Sequence, residues 1–253
     1  MTNIGFSTGA IAKGKFWAAL KLLEEAQVGA VELSALRLEE LEPLVSALPA
    51  INLSSFAFVS LHCPSSFAEE DEKYILDLLE RVAERNIPIV VHPDVIYNPL
   101  RWAPLGSLLL IENMDKRKAV GRTVHEMNKW FDVLPNSRMC LDVGHARQVD
   151  PSLLELSLLL SVFAERIAEL HISEVNTQSQ HEPISDGAVS AFRALADWIP
   201  VGVPVIIESL IDRGQSTIRK EIEQAYRALF GTHNVSNANV ASGVSNSASA
   251  IAK

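Results

Sequence analysis

Five of the seven histidines in this chain, His62, His92, His145, His171 and His181, fall at or just after short apolar runs, and Glu112, Asp142 and Glu208 stand in the same kind of place. Imidazole and carboxylate groups bind borderline and hard divalent cations, and they also serve as general acids and bases. Buried-type runs that each end in such a group describe several strands delivering ligands to one rim. Glu112 follows Leu108-Leu109-Leu110-Ile111, and Glu208 follows Val205-Ile206-Ile207. A carboxylate ending so apolar a strand is costly to bury alone, so each needs a cation or a hydrogen-bond partner. In Asp142-Val143-Gly144-His145 the glycine permits a sharp turn that would bring His145 back over the rim. His171, inside Leu170-His171-Ile172, points away from both neighbours in a strand and so toward a barrel interior. Singly, these residues read as ion pairs with Arg or Lys, or as a satisfied core histidine. Together, Glu112, Asp142, His171 and Glu208 on four consecutive strands describe a metal site. A mostly carboxylate set with one imidazole suits Mn²⁺, Mg²⁺, Co²⁺ or Zn²⁺.

Further candidates surround this set. His62, in Ser60-Leu61-His62-Cys63-Pro64, and His92, in Val90-Val91-His92-Pro93-Asp94, suit a second metal bridged by Glu112, or a substrate hydroxyl or phosphate. His181, in Gln180-His181-Glu182-Pro183, is placed either to close over the site or to stand in solvent. Glu32, in Val31-Glu32-Leu33-Ser34, is a hydrogen-bonding candidate for substrate or the end of a strand's polar layer. Cys140 shares strand parity with Asp142 and reads as a small buried thiol. His125 and His233, on a helix and at the start of the tail, read as surface residues.

The elements that must position these groups follow from periodicity. Short β-rich runs at Ile4 to Ser7, Ala30 to Leu33, Ala57 to His62, Ile87 to His92, Leu108 to Glu112, Met139 to Asp142, Ile167 to Ile172 and Val203 to Glu208 predict strands. Apolar residues at three- and four-residue spacing predict helices over Lys15 to Ala26, Glu69 to Arg85, Lys116 to Leu134 and Gln215 to Phe230. Asp150-Pro151 before Leu153 reads as an N-cap and first-turn proline, and the segment from Asn98 to Gly106 is too short for a full helix. Such alternation predicts an α/β chain, a (β/α)8 barrel in one domain over residues 1–231, with a doubly wound open sheet as the alternative. In a barrel the functional face lies where the strands end, at Glu32, His62, His92, Glu112, Asp142, His171 and Glu208.

Composition narrows the partners. With 253 residues and 48% hydrophobic content there is material for one large core, and the interior lacks a Pro/Gly/Ser-rich linker. A net charge of -9 gives no basic footprint, which disfavours nucleic acid. Cys63 and Cys140 offer neither a disulfide framework nor a thiolate zinc site, so a reducing, cytoplasmic setting is expected. No signal-peptide pattern and no membrane-length apolar run is expected to tie the chain to a membrane. From Thr232 to Lys253, Asn, Ser, Ala and Val replace the periodic pattern, which predicts a disordered tail. A homo-oligomer is compatible with all of this.

The chain resembles the xylose isomerase-like TIM barrel superfamily, which contains sugar and sugar-phosphate isomerases and epimerases together with endonuclease IV. The resemblance spans roughly Ile4 to Phe230 and rests on Ala30-Val31-Glu32-Leu33, Leu61-His62, Val91-His92-Pro93, Ile111-Glu112-Asn113, Leu141-Asp142-Val143-Gly144-His145, Leu170-His171 and Ile207-Glu208. It implies Glu112, Asp142, His171 and Glu208 as shared metal ligands, with His145 facing substrate or a further metal. In the epimerase branch it implies that the carboxylates matching Glu112 and Glu208 shuttle a proton across the substrate. In the endonuclease branch it implies three zinc ions, with His62, His92, His145 and His181 contributing. Two departures bear on the choice. The endonuclease pattern has Asp where this chain has Ser179, which weighs against a complete third zinc site. After the strand-seven histidine the isomerase branch carries an acidic residue and a downstream arginine, whereas Ile172-Ser173-Glu174-Val175-Asn176 supplies Glu174 alone.

The first expectation is therefore a divalent-metal-dependent isomerase or epimerase of a small sugar or sugar-derived polyol, with Glu112 and Glu208 transferring the proton through an enediolate and His145, His62, Glu32 and His181 meeting the substrate. Its metal ligands would be Glu112, Asp142, His171 and Glu208, joined by His92 and His62. The alternatives are an endonuclease IV-like phosphodiesterase, and a non-catalytic or iron-dependent barrel on the same scaffold.

Overall fold

The computed structural model describes residues 3–211 and 214–231. The tail from 232 to 253, with His233 in it, lies outside the described residues. In chain order the elements are β1 (Ile4–Ser7), α1 (Thr8–Ala12), α2 (Phe16–Glu25), β2 (Ala30–Ser34), α3 (Leu38–Ala47), β3 (Phe58–His62), α4 (Glu72–Ala83), β4 (Ile89–Val91) and α5 (Pro99–Trp102). Then come β5 (Leu109–Glu112), α6 (Val124–Val133), β6 (Arg138–Asp142), α7 (Val143–Val149), α8 (Leu154–Phe163) and β7 (Ile167–Ile172). The chain finishes with β8 (Glu174–Val175), β9 (His181–Glu182), α9 (Asp186–Arg193), β10 (Val205–Ile207) and α10 (Gln215–Leu229). Eight of the strands close a parallel barrel in the order β1-β10-β7-β6-β5-β4-β3-β2, while β8 and β9 form a small antiparallel ribbon after β7. The protein is thus an α/β, (β/α)8 TIM barrel. Among the described residues, no helix is long and apolar enough to cross a membrane.

Why the rim is polar follows from strand alternation. One set of side chains, including Leu61, Ile89, Val91, Leu109, Ile111, Leu141, Leu170 and Ile207, joins the main core shared with the helices. The alternate set faces the barrel interior, where Val90, Leu110 and Cys140 form a separate, small apolar cluster. Two residues further along those same strands come His92, Glu112 and Asp142. The interior is thus apolar at depth and ionisable at the strand ends.

Three local expectations need correction. The helix predicted from Lys116 begins only at Val124, because Thr123 Oγ1 accepts the Glu126 N–H at 3.3 Å and caps it. Residues 116–123 instead form a loop against the barrel mouth. Gly121 in this loop has φ 80°, and a Cβ there would lie 2.5 Å from Pro93 Cγ. Asp150 is not the residue preceding a helix, since α8 starts at Leu154. Its Oδ2 nevertheless accepts the Glu155 N–H at 3.0 Å, so it serves that helix from a turn earlier. Gly144 makes no sharp turn, because α7 starts directly after Asp142. A side chain is excluded there by packing: a Cβ would sit 2.8 Å from both the Ser173 carbonyl oxygen and Val175 Cγ2.

Candidate metal centre

Each functional side chain is placed by the end of a strand and by the turn or helix next to it. β3 ends at His62, whose Nδ1–H donates to the Cys63 carbonyl at 2.7 Å. Directly after β4, His92 precedes a 3-10 turn opened by Pro93. Glu112 closes β5, and the adjacent Asn113 ties β5 to β6, accepting the Asp142 N–H at 2.8 Å and donating to the Asp142 carbonyl at 2.9 Å. Asp142 ends β6 and caps α7: its Oδ1 accepts the His145 N–H at 2.6 Å. That bond folds His145 back to the rim, where its Nδ1–H donates to the Asn113 carbonyl at 3.0 Å. The β8–β9 ribbon returns His181, with Nδ1 2.8 Å from Ser173 Oγ.

These groups converge. Glu112 Oε2 lies 3.1 Å from His62 Nε2 and 3.2 Å from His92 Nε2, while its Oε1 lies 3.3 Å from His171 Nδ1. Glu208 Oε2 is 3.4 Å from the same His171 Nδ1 and 3.7 Å from His181 Nδ1. Asp142 Oδ2 approaches His145 Nδ1 at 3.5 Å. Three overlapping donor sets result, each with its ligand atoms within 4.8 Å of one another: His62, His92 and Glu112; Glu112, Asp142, His171 and Glu208; and Asp142, His145 and His181. The sets share Glu112 and Asp142, so any cations in them would be neighbours.

The donor chemistry fits divalent cations. Asp142 Oδ2 and His92 Nδ1 are buried without a hydrogen-bond partner. The backbone carbonyls that take the Nδ1–H of His62 and His145 leave Nε2 of each ring as the ligating nitrogen once its proton is lost, the orientation carbonyl-held metal-binding histidines use. Among the described residues, the ion pairs of Glu112, Asp142 and Glu208 are all with histidines and none with Lys or Arg.

The crowding of charge is visible in the proton affinities. Burial alone would lower the His62 pKa, but the carboxylates of Glu32, Glu112 and Glu208 hold it up at about 10. His145 is raised in spite of its burial by Asp142, Glu112 and Glu208. For His92 burial wins over Glu112, and its pKa falls. Burial would raise Glu112, yet the imidazoles of His171, His62 and His92 hold it well below the ordinary carboxylate value. Asp142 moves the other way, to about 6, because burial is reinforced by Glu208 and Glu112 against the opposing pull of His145.

Above the donors opens a cavity of about 510 Å³ lined by His62, His92, Glu112, His145, His181 and Glu208. Lys13, Arg117 and Lys118 stand at its rim. Arg117 is engaged with Asp115 and Lys118 with Asp94, at 3.0 and 2.5 Å. Among the donors, Glu208 and His181 are the most open to this space, with side chains 13% and 25% exposed.

The sequence pointed eight residues to this place, Glu112, Asp142, His171, Glu208, His62, His92, His145 and His181, and the fold assembles them all. Glu32 is the exception. It is completely buried against His171 and does not line the cavity, which agrees with the second of its two readings, the polar layer of its strand, and not with a substrate contact. His125 is exposed, and Cys140 is a buried interior thiol. Glu169 was missed: it is completely buried beside His171, accepting from Ser60 Oγ at 2.8 Å. Its signal was its position two residues before His171 on one strand, hence on the same face. Asn113 and Asp115 also escaped notice as buried polar residues supporting the rim. Ser179 lies outside the third donor set and bonds Gln148 instead. Glu174 does find an arginine, but an upstream one, Arg147 on α7.

No family model matches this chain, and no curated protein matches it either. Solved structures do. Endonuclease IV from Thermus thermophilus is 20% identical, with 90% of this chain and 98% of that one covered at a TM-score of 0.58. Protein SMc04130 from Sinorhizobium meliloti 1021 is 14% identical over 90% of this chain and 98% of that one, with a TM-score of 0.59. A xylose isomerase domain protein from Planctomyces limnophilus is 12% identical over 84% of this chain and 91% of that one, with a TM-score of 0.54. The barrel is therefore one whose fold is shared by xylose isomerase-like domain proteins and endonuclease IV.

Proposed function

We propose that this chain is a metal-dependent hydrolase of a small phosphate ester, with a phosphodiester as the first substrate to try. One observation carries this reading: Glu112 presents one oxygen to His62 and His92 and the other to His171, so a single carboxylate is shared by adjacent donor sets. His62, His92 and Glu112 would hold one cation, Glu112, Asp142, His171 and Glu208 a second, and Asp142, His145 and His181 a third. Adjacent divalent cations supply charge neutralisation for a phosphoryl group and lower the pKa of water. Carbonyl bonds hold His62 and His145 in one tautomer, and the Asn113 clasp fixes the relative positions of Glu112 and Asp142. Glu208, the carboxylate most open to the cavity, accepts the proton of the attacking water. Lys13 favours an anion at the rim, where Arg117 and Lys118 are already paired with Asp115 and Asp94, and a cavity of about 510 Å³ suits a small substrate better than a duplex. That one structural neighbour is an endonuclease agrees with phosphodiester chemistry, and the net charge of -9 argues for a small ester over nucleic acid.

The test is metal content together with turnover. Protein loaded with Zn²⁺ or Mn²⁺ is expected to hold two or more ions per chain and to cleave a chromogenic aryl phosphodiester, with Glu208→Gln losing at least 100-fold in kcat. One ion per chain and no cleavage of any phosphoester would overturn the reading. The isomerase or epimerase remains the second reading, favoured by one observation: Glu112 and Glu208 both face the same small cavity. Solvent deuterium appearing on a carbon of a ketose or aldose, with no phosphoester cleaved, would establish it instead.

A further inference from the structure

Beneath the cation-binding donors lies a second polar layer that neither substrate nor solvent reaches. Glu32 on β2 and Glu169 on β7 are both fully buried, as is His171 above them. Glu32 Oε2 stands 3.2 Å from His171 Nε2, and Glu169 Oε1 stands 3.5 Å from the same nitrogen. Each carboxylate is steadied from the side by a serine. Ser34 Oγ donates to Glu32 Oε1 at 3.4 Å, and Ser60 Oγ donates to Glu169 Oε1 at 2.8 Å across the barrel. The other nitrogen of the ring, Nδ1, faces up toward Glu112 Oε1 and Glu208 Oε2 at 3.3 and 3.4 Å. Glu32 Oε2, Glu169 Oε2 and His171 Nε2 are all buried without a hydrogen-bond partner, although a carboxylate oxygen of each glutamate stands within 3.5 Å of Nε2.

We propose that Glu32 and Glu169 are positioning residues that together hold His171 with its Nε2–H directed to the barrel floor and its Nδ1 lone pair directed to the cation. The inference rests on the reading of the upper donor set as a cation site. A neutral imidazole carries one proton, so an acceptor at one nitrogen dictates which nitrogen is left to ligate. Glu112 and Glu208 also face Nδ1, so the ring alone would be free to point its proton upward and block the site. Two carboxylates below, rather than one carbonyl as at His62 and His145, decide the matter. The same three residues would make a poor cation site of their own, since His171 would then need lone pairs on both nitrogens at once.

The experiment replaces both carboxylates by apolar side chains of similar size, Glu32→Leu with Glu169→Leu, and compares the pair Glu32→Gln with Glu169→Gln, whose amide oxygens still accept. Replacing buried ionisable groups with packed apolar ones is commonly tolerated by a fold. Zn²⁺ and Co²⁺ dissociation constants are measured by chelator competition, and the His171 ring nitrogens are read by ¹⁵N NMR in the Zn²⁺-loaded protein. Expected are a 10- to 100-fold weaker affinity in the Leu pair, recovery to within a few-fold of wild type in the Gln pair, and a protonated Nε2 in wild type. Wild-type affinity in the Leu pair, or a wild-type His171 protonated on Nδ1, overturns the proposal. So does the Leu pair losing one whole ion while the rest bind as before, because that would make the floor a cation site. If the Leu pair does not fold, the single Leu variants and the wild-type spectrum decide it. A wild-type chain that takes up no Zn²⁺ overturns the cation reading and this inference together, whereas normal uptake with unaffected Leu variants overturns this inference alone.

Discussion

Asp142 does two jobs with two oxygens, and separating them gives a quantitative test. Oδ1 caps α7 through the His145 N–H at 2.6 Å, and Oδ2 is buried without a partner, ready for a cation. The substitution Asp142→Asn would keep the cap, because asparagine caps helices as well as aspartate does, but would lose the charge. In the metal-free protein that charge is unwelcome: the carboxyl is raised from 3.8 to about 6, by burial first and by Glu208 and Glu112 after it. At pH 7 the ionised group therefore costs the metal-free fold roughly 3 kcal/mol. Which state releases its proton first decides the sign. At pH values well below 3.8 the carboxyl is protonated in both folded and unfolded chains, so no penalty exists. Between about pH 4 and pH 6 the unfolded chain ionises while the folded one resists, and stability falls. Above pH 6 the penalty is complete.

Asp142→Asn is therefore expected to raise the Tm of chelator-treated protein at pH 7 by about 6–12 °C, at ~2–4 °C per kcal/mol for a chain of this size. The gain should shrink toward zero as the pH is taken down to about 4. Asp142→Ala loses the cap as well, at a cost of about 1 kcal/mol, so its gain should be smaller. With Zn²⁺ present the order reverses, since wild type gains binding energy on the folded state that neither variant can gain. Thermal scans with and without chelator at pH 4, 5, 6 and 7 measure all of this. A metal-free Asp142→Asn protein less stable than wild type at pH 7, or one whose advantage is the same at pH 4, would refute the reasoning.

Four more expectations arise from particular contacts. His62→Ala and His92→Ala should each lower the metal content by one ion per chain by elemental analysis, leaving the Glu112, Asp142, His171 and Glu208 set loaded; loss of every ion would show the sets to be inseparable. Because neighbouring carboxylates, working against burial, hold His62 at about 10 and raise His145, metal uptake at pH 7 should displace protons and tighten as the pH rises; calorimetry giving the same heat in buffers of different ionisation enthalpy would contradict this. Gly144→Ala should cost about 1–3 kcal/mol in urea unfolding, because its methyl would press on the Ser173 carbonyl and Val175. Glu72→Ala should cost about 3 kcal/mol or more in the same assay, since Glu72 Oε1 accepts from the Tyr97 and Asn98 N–H groups and from Trp102 Nε1, all at 2.8–2.9 Å; a near-neutral variant would mean water replaces the carboxylate.

The strand ends were legible in the sequence because parallel strands buried on both faces read as apolar runs, and a charged residue at their close stands out. Glu112, Asp142 and Glu208 announced themselves in this way, and His171 did so by breaking Leu170-His171-Ile172. Glu169 did not, because a single glutamate in Ile167-Ala168-Glu169-Leu170 resembles an outward-facing polar residue until the parity of His171 is applied to it as well. Glu32 was seen but placed one layer too high: strand alternation tells which face a residue takes, while its depth along the barrel axis depends on the register with neighbouring strands. The loop after β5 was misread as helix for a different reason. Its residues have helical spacing, and only the cap at Thr123 and the packing of Gly121 on Pro93 show where the helix can begin.

What unifies the two polar layers is charge. Glu32, Glu112, Asp142, Glu169 and Glu208 lie within one barrel interior, and their ion pairs among the described residues are with imidazoles alone. Imidazole is the one basic side chain that can give up its proton near neutrality and still bind, so a rim of histidines can neutralise carboxylates in the empty protein and hand them to cations in the loaded one. Lysine or arginine in the same places would have stabilised the empty barrel and closed it to metals. The lysines and arginines are instead kept at the cavity's edge, where Lys118 and Arg117 are held by Asp94 and Asp115. That division, exchangeable positive charge inside and the fixed positive charges paired off at the rim, is what a site needs if it is to take up cations.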